Sequence, residues 1–317
     1  MPVTSSPLMK ASALICALTG LGCSPILLVM AEQEIGPYAA TFDRLIIGTV
    51  IFLLWSGSQQ ILKAKSTGST VSDVKALSRL DIVLLIVSGL AFAGSLILWA
   101  WSLTQTSVAN ATLLDNMVPL FTALGAWILF QETFSSQFLL GLGIAVLGVI
   151  IISTEDLQLA GGFIGDGAAL GSAVLVAANI LIVGQLRKRF DTSWIMLRTS
   201  LIGSVFTLII LGVLHESPFP HTLIGWITVI LLAVAAQVLG QGLLTYCLEV
   251  FSVALVSTCL LSVPVISAVL AMAIFNEQLT WLNWFAFGIV LMGICLSILA
   301  PSQKEEFVAH TVASSPT

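Results

Sequence analysis

The chain has 317 residues, of which 58 % are hydrophobic and only 9 % are charged, and its mean hydropathy is +1.08. Soluble domains carry about 25 % charged residues, so this composition excludes an ordinary soluble protein and indicates an integral membrane protein. The net charge is −5, and no dense basic patch occurs outside short loops. We therefore expect no nucleic-acid partner.

Ten apolar stretches approach or exceed the roughly 20 residues that a helix needs to cross a hydrocarbon core of about 30 Å. Helices satisfy their backbone groups internally, as a segment in lipid must. A transmembrane barrel is disfavoured because its strands would alternate apolar and polar residues, whereas runs such as Ile144 to Ile152 are apolar on every face. We predict an all-α membrane protein of about ten transmembrane helices, at residues 11–30, 37–55, 81–102, 107–129, 136–153, 163–185, 193–214, 222–246, 252–275 and 281–299.

The basic residues indicate how these helices are oriented. If the N-terminus is cytoplasmic, nine of the eleven Lys and Arg residues fall in cytoplasmic segments. The other two, Arg44 and Arg198, fall inside predicted helices, and the external loops carry acidic residues instead. Because cytoplasmic loops are enriched in Lys and Arg, we predict that both termini are cytoplasmic.

The fourth and fifth predicted helices are repeated in the ninth and tenth. Pro119 aligns with Pro264, 145 residues later, and Glu132 aligns with Glu277 at the same offset. Five helices is an odd number, so the second copy must enter the membrane from the opposite side. Inverted repeats are frequent in secondary transporters, which bind substrate near the bilayer midplane. We predict a cytoplasmic N-terminus at 1–10, five-helix repeats at 11–153 and 163–299, and a disordered cytoplasmic tail at 300–317.

The doubled pattern also carries a family resemblance. It resembles the EamA family of the drug/metabolite transporter superfamily over about residues 10–300. The resemblance implies a ten-helix transporter of small metabolites, often an exporter of amino acids or related solutes, in the inner or plasma membrane. It also implies a central cavity lined by helices one to four and six to nine. The residues that carry it are Ser107-Val-Ala109, Pro119, Glu132 and Gly141 to Gly148, repeated as Ser252-Val-Ala254, Pro264, Glu277, Gly288 and Gly293.

Asp115 lies near the middle of the fourth predicted helix. A charge there costs about 3 kcal/mol on insertion scales, so it should face a partner or a wet cavity. Asn116 follows it, and Pro119 has no N–H to bond the carbonyl of Asp115. Asp115 could bind a cationic substrate group or take up a coupling proton. Alternatively it is a structural partner of Arg44 or Asn179.

Arg44, Asn179 and Gln241 are the other candidate substrate or coupling residues. Arg44 could attract a carboxylate, although we favour snorkelling to the headgroups or a structural pair. Amides within a bundle often join helices, and this alternative stays open for Asn179 and Gln241. Trp99 and Trp101 are interpreted as an interfacial aromatic belt rather than as substrate contacts. Three prolines are predicted to break helices near the site, namely Pro25, Pro119 and Pro264.

Signals of enzymatic function are absent from the sequence. No nucleotide-binding, hydrolase or metalloprotease motif occurs, and the histidines lack metal-ligand spacing. We predict no cofactor and no metal. The predicted function is secondary transport by alternating access, with a small-molecule substrate and the lipid bilayer as partners. An intramembrane enzyme and a non-transporting scaffold or receptor are the alternatives. Glycines 141 and 148 are expected to pack within a monomer, with a dimer interface as the alternative.

Overall fold

A computed structural model describes residues 7–32, 34–67, 77–106, 108–154, 163–275 and 280–300, and these ranges contain only helices and their connections. The N-terminal residues 1–6 and the predicted disordered tail lie outside them, apart from Ala300. The helices are α1 (Pro7–Gly22), α2 (Ser24–Glu32), α3 (Pro37–Thr67), α4 (Arg79–Ser102), α5 (Val108–Asp115), α6 (Val118–Phe130), α7 (Ser136–Thr154), α8 (Phe163–Arg187), α9 (Thr192–Leu214), α10 (Leu223–Leu232), α11 (Leu243–Cys247), α12 (Val253–Cys259), α13 (Val263–Phe275) and α14 (Trp281–Ile298).

Nine helical stretches within the described ranges are long and apolar enough to cross a membrane. Several of them join two helices end to end, such as Met9–Ala31, which contains most of α1 and α2. A tenth apolar stretch, Ser136–Ile151 in α7, is shorter. We number the ten stretches in chain order as spans, so that α3 lies in the second span, α7 in the fifth, α8 in the sixth and α10 and α11 in the eighth. The prediction of an all-helical, multi-pass membrane protein is confirmed.

The two ends of the helix bundle differ in charge. Lys10, Arg79 and Arg187–Arg189 lie at one end, which we call the basic end. Glu34 and Glu216 lie at the other, which we call the acidic end. That the basic end faces the cytoplasm stays a prediction from the charge pattern.

The two repeats interlock rather than lying side by side. The second span of each repeat packs against the other, as α3 does with α9, and the fifth spans pair in the same way as α7 and α14. The contact of α4 with α8 is mirrored by that of α1 with the segment Ala233–Gly242. This pattern is that of two similar units related by an approximate two-fold axis, as the sequence repeat predicts.

Glycines bring α7 and α14 into backbone contact. A Cβ added at Gly293 would lie 2.3 Å from the backbone nitrogen of Ala145, and one added at Gly141 would lie 2.6 Å from that of Ser297. The predicted close packing of α7 is thus found within the monomer, as expected for small residues at helix interfaces in lipid.

Four of the spans that surround the centre are not continuous α-helices. The first breaks between Gly22 and Ser24, and the fourth between Asp115 and Val118. The ninth contains the 3₁₀ turn Leu260–Ser262, and the eighth contains the π-helix Ala233–Gly242. Substrate sites of transporters are commonly built on discontinuous helices of this kind.

The three prolines occupy equivalent places beside these breaks. Pro25, Pro119 and Pro264 are each the second residue of the helix that follows, in α2, α6 and α13. A proline is tolerated in the first turn because its missing N–H would have had no helical partner there. The break in each of the three spans therefore lies immediately before the proline.

Candidate functional site

The broken spans enclose a cavity of about 210 Å³ at the centre of the bundle. It extends to Pro37, the first residue of α3 at the acidic end. Most of its wall is apolar. The polar side chains on the wall are Ser24, Thr41, Arg44, Ser95, Asp115, Asn116, Ser172 and Gln241.

Asp115 enters the cavity at the break between α5 and α6. Its Oδ1 accepts a hydrogen bond of 2.8 Å from the hydroxyl of Ser172 on α8, and that hydroxyl also lies 3.0 Å from the carbonyl oxygen of Ser95. Within the described part of the chain, no Lys or Arg forms an ion pair with Asp115. The carboxylate is therefore oriented by a neutral group, and its charge is not balanced by a protein cation.

Arg44 lies on the cavity wall and does not snorkel, because its residue is only 7 % exposed. Its Nε donates to Oε1 of Gln237 over 3.1 Å, and its Nη1 lies 3.5 Å from the hydroxyl of Ser24. The guanidinium carbon also lies 5.6 Å from the ring centre of Phe92. These partners are all neutral, and among the residues that the structure describes no carboxylate forms an ion pair with Arg44, so its positive charge is not balanced there by a protein anion.

Gln237 holds this arrangement from the π-helix. Its Nε2 donates to the hydroxyl of Ser200 on α9 over 2.9 Å, which directs its amide oxygen toward Arg44. Gln237 is fully buried. Because both the oxygen and the nitrogen of its amide are hydrogen-bonded, Gln237 holds the guanidinium of Arg44 in a fixed position. It bonds only Nε of Arg44, so the two Nη atoms can bond other groups.

The remaining amide candidates divide between two roles. Asn116 and Gln241 line the cavity, and the Nδ2 of Asn116 donates to the carbonyl of Thr112 over 2.8 Å. Asn179 does not line the cavity. Its Oδ1 accepts a hydrogen bond of 2.7 Å from the hydroxyl of Ser88, and this bond joins α8 to α4. The predicted pairing of Asp115 with Arg44 or Asn179 is absent from the described hydrogen bonds and ion pairs.

Some cavity residues differ from the expectation or were not expected. Trp99 lies on the cavity wall, whereas it was interpreted as part of an aromatic belt. Pro25 and Pro119 line the cavity, but Pro264 does not, and its neighbours Leu261 and Val263 take that place. Ser172 gave no sequence signal, because a single serine in an apolar helix is common and only its contact with Asp115 distinguishes it.

Comparison with known proteins places this fold and cavity in a family. A family model described as the EamA-like transporter family matches residues 8–154 and 163–299. One crystal structure of a protein superposes with a TM-score of 0.74 at 17 % sequence identity, covering 92 % of this chain and 98 % of that chain. At this identity the likeness shows the fold alone.

Two curated relatives are solute carriers. Solute carrier family 35 member G1 of Homo sapiens is 29 % identical over 150 residues, which are 44 % of this chain and 41 % of that protein. Its Mus musculus counterpart is 26 % identical over 208 residues, which are 62 % and 56 % of the two chains. The chain thus spans about half the length of these relatives. Both five-helix repeats match the family model, so this multi-pass membrane protein belongs to the EamA-like transporter family.

Proposed function

We propose that this protein is a secondary transporter that exports small metabolites such as amino acids or related solutes by alternating access. One observation carries the proposal. The central cavity presents an unbalanced guanidinium, Arg44 on α3, and an unbalanced carboxylate, Asp115 at the end of α5. A solute with a carboxylate and an ammonium group would balance both charges at once.

The chemistry of each group suits such a solute. A guanidinium binds a carboxylate through parallel, charge-assisted hydrogen bonds. Asp115 would accept from the ammonium group, and a buried charge in a membrane is stabilised by such pairing. Asp115 is alternatively the site of a coupling proton, in which case the solute would be an anion held by Arg44.

The cavity also bounds the size of the solute. Pockets for drug-sized ligands are about 300–1,000 Å³, so a cavity of about 210 Å³ takes a smaller molecule. Phe92, Trp99 and Leu96 on its wall favour an apolar portion of the solute. These features support a small solute with a charged head and an apolar side group.

The architecture supports transport rather than catalysis or scaffolding. Two interlocked repeats can exchange conformations and expose one central site first to one side and then to the other. In the predicted orientation the acidic end is external, and the membrane is the inner or plasma membrane. An intramembrane enzyme would need a cluster of reacting groups, and a scaffold would not need two unbalanced charges in its core.

Counterflow in proteoliposomes tests the proposal. Vesicles loaded with one unlabelled amino acid are mixed with a labelled amino acid, and panels of amines, organic anions, nucleosides and sugars are run in parallel. We expect exchange of amino acids and loss of that exchange in Asp115→Asn. The matched control is Asp191→Asn, which alters an exposed aspartate at the start of α9. Exchange of nucleosides or sugars alone, or full exchange by Asp115→Asn, would contradict the proposal.

A further inference from the structure

Arg187, the last residue of α8, joins three segments at the basic end. Its Nε donates to the carbonyl of Thr245 over 3.1 Å, and its Nη1 donates to the carbonyl of Phe190 over 2.6 Å. Its Nη2 forms an ion pair with the carboxylate of Glu249, just beyond α11. The side chain of Arg187 is 5 % exposed and that of Glu249 is 55 % exposed. Arg187 thereby clamps the end of the sixth span to the end of the eighth span, both at the basic end of the bundle.

A second ion pair lies nearby but joins different elements. Arg189 Nη1 lies 2.7 Å and 2.8 Å from the two carboxylate oxygens of Asp81, in the first turn of α4. It connects the turn after the sixth span to the start of the third. Asp81 also forms a capping box with Ser78. The ion pair with Arg189 is therefore part of the structure at the N-terminus of α4.

The acidic end has a counterpart of this second contact. Thr222, the residue before α10, donates from its hydroxyl to Oε2 of Glu34 over 2.6 Å. This bond joins the turn after the first span to the start of the eighth span. In the repeat, the first span corresponds to the sixth and the eighth to the third, so the bond is equivalent in position to the contact of Arg189 with Asp81. A contact that is present at both ends does not distinguish one end from the other.

Within the described residues, no ion pair corresponds to the clamp between Arg187 and Glu249 at the acidic end. At the repeat offset of 145, Glu249 aligns with Thr104. Thr104 is exposed, and its hydroxyl donates to the carbonyl of Trp101 in its own span over 2.7 Å. The repeat therefore places a charged clamp at the basic end and a locally bonded threonine at the acidic end, toward which the cavity extends.

From this asymmetry we propose that the ion pair of Arg187 with Glu249 is a latch that holds the basic end closed. The latch must break before the central cavity can open toward the basic end. The intact latch therefore favours the conformation in which the cavity extends toward the acidic end. This inference rests on the alternating access proposed for the protein. Arg187 and Glu249, which do not line the cavity, would then control the conformational equilibrium.

Spin-label distances test the latch without any substrate. The native cysteines are replaced, and labels are attached in one variant to cysteines at positions 191 and 250 at the basic end. A second variant carries them at positions 30 and 104 at the acidic end. Pulsed electron resonance then gives the distance distributions in lipid nanodiscs. Because no transport is measured, failure of the latch and failure of the proposed substrate are distinguishable.

We expect Glu249→Gln to increase the population of the longer distance between positions 191 and 250 about two- to fivefold, as loss of one partly exposed ion pair would. The population of shorter distances between positions 30 and 104 should rise with it. Arg187→Gln should shift both distributions in the same direction. The matched control for Arg187→Gln is Lys188→Gln, which removes the same charge from the next residue, whose amine bonds Gln185 and lies 5.9 Å from the ring centre of Phe130 but does not contact Glu249 in the described structure.

Unchanged distributions in folded Glu249→Gln protein would overturn the latch. An equal shift in Lys188→Gln would overturn it as well, because the effect would then be one of net charge. Glu249→Gln alters a side chain that is more than half exposed, and the buried Arg187 then keeps its hydrogen bonds to the carbonyls of Thr245 and Phe190. If Arg187→Gln fails to fold, Glu249→Gln alone decides.

Discussion

The fourth and ninth spans have the same break but different chemistry. Each is interrupted immediately before an aligned proline, Pro119 or Pro264. At the break, the first repeat has Asp115, whereas the second has Leu260 at the aligned position. Both residues line the cavity. The comparison shows that the repeat builds a symmetric scaffold and that the site arises where one copy has departed from it.

The second spans of the two repeats show the same division. Arg44 on α3 is buried against Gln237 and lines the cavity. Arg198 lies on α9, the second span of the other repeat, where it is 3.6 Å from the ring centre of Trp194 and donates to the carbonyl of that residue. One repeat therefore supplies both charges of the site, and the other supplies neutral partners such as Gln237 and Ser172.

Replacing each of these two arginines should give the largest difference. Arg44→Gln is expected to weaken the exchange of carboxylate-bearing solutes by about 30-fold or more, because truncating a buried charge partner costs about 2–5 kcal/mol. Arg198→Gln should leave exchange within about twofold. Initial rates of counterflow at several substrate concentrations measure both. Similar losses in the two variants would show that the repeats contribute equally to binding.

The seam between α7 and α14 tests the part that the two repeats share. Gly293→Ala should lower the thermal stability, since its added methyl group would meet the backbone of Ala145 at 2.3 Å and overpacking costs about 1–3 kcal/mol. Gly288→Ala on the same helix is the control, because a Cβ there has nothing within 4 Å. Thermal unfolding in detergent compares them. Equal melting temperatures for Gly293→Ala and Gly288→Ala would mean that α7 and α14 can move apart without loss of stability.

Ser172 is expected to give a smaller effect on transport. Ser172→Ala removes the hydrogen bond that orients Asp115 but keeps the carboxylate, and a hydrogen bond is worth about 0.5–1.5 kcal/mol net. Exchange should fall about three- to tenfold, with the larger change in the half-saturating concentration. Ser88→Ala, which removes the bond to Asn179 outside the cavity, is the control. A loss as large as that of Asp115→Asn would give Ser172 a direct contact with the solute.

Much of this arrangement could be predicted from the sequence, because its causes are local. Apolar runs specify helices in lipid, and a proline in the middle of an apolar run cannot donate to the carbonyl four residues back, so it indicates a break there. Asp115 and Arg44 stood out because charges within spans are rare. Ser172 and the π-helix could not be predicted, since both depend on contacts between distant segments. A Cβ added at Gly20, for example, would lie 2.5 Å from the carbonyl oxygen of Ala235.

The smallest expected effect concerns Glu132, the aligned glutamate of the first repeat at the basic end. Burial raises its pKa, and the nearby charge of Lys188 opposes that shift. An acid whose pKa is higher in the folded state loses stabilising free energy as pH rises above its ordinary pKa of 4.5 and through the raised value. Glu132→Gln should therefore raise the melting temperature slightly at pH 8 and leave it unchanged near pH 4. A larger gain at pH 4 than at pH 8 would reverse the sign of this effect and indicate that ionised Glu132 stabilises the basic end through Lys188.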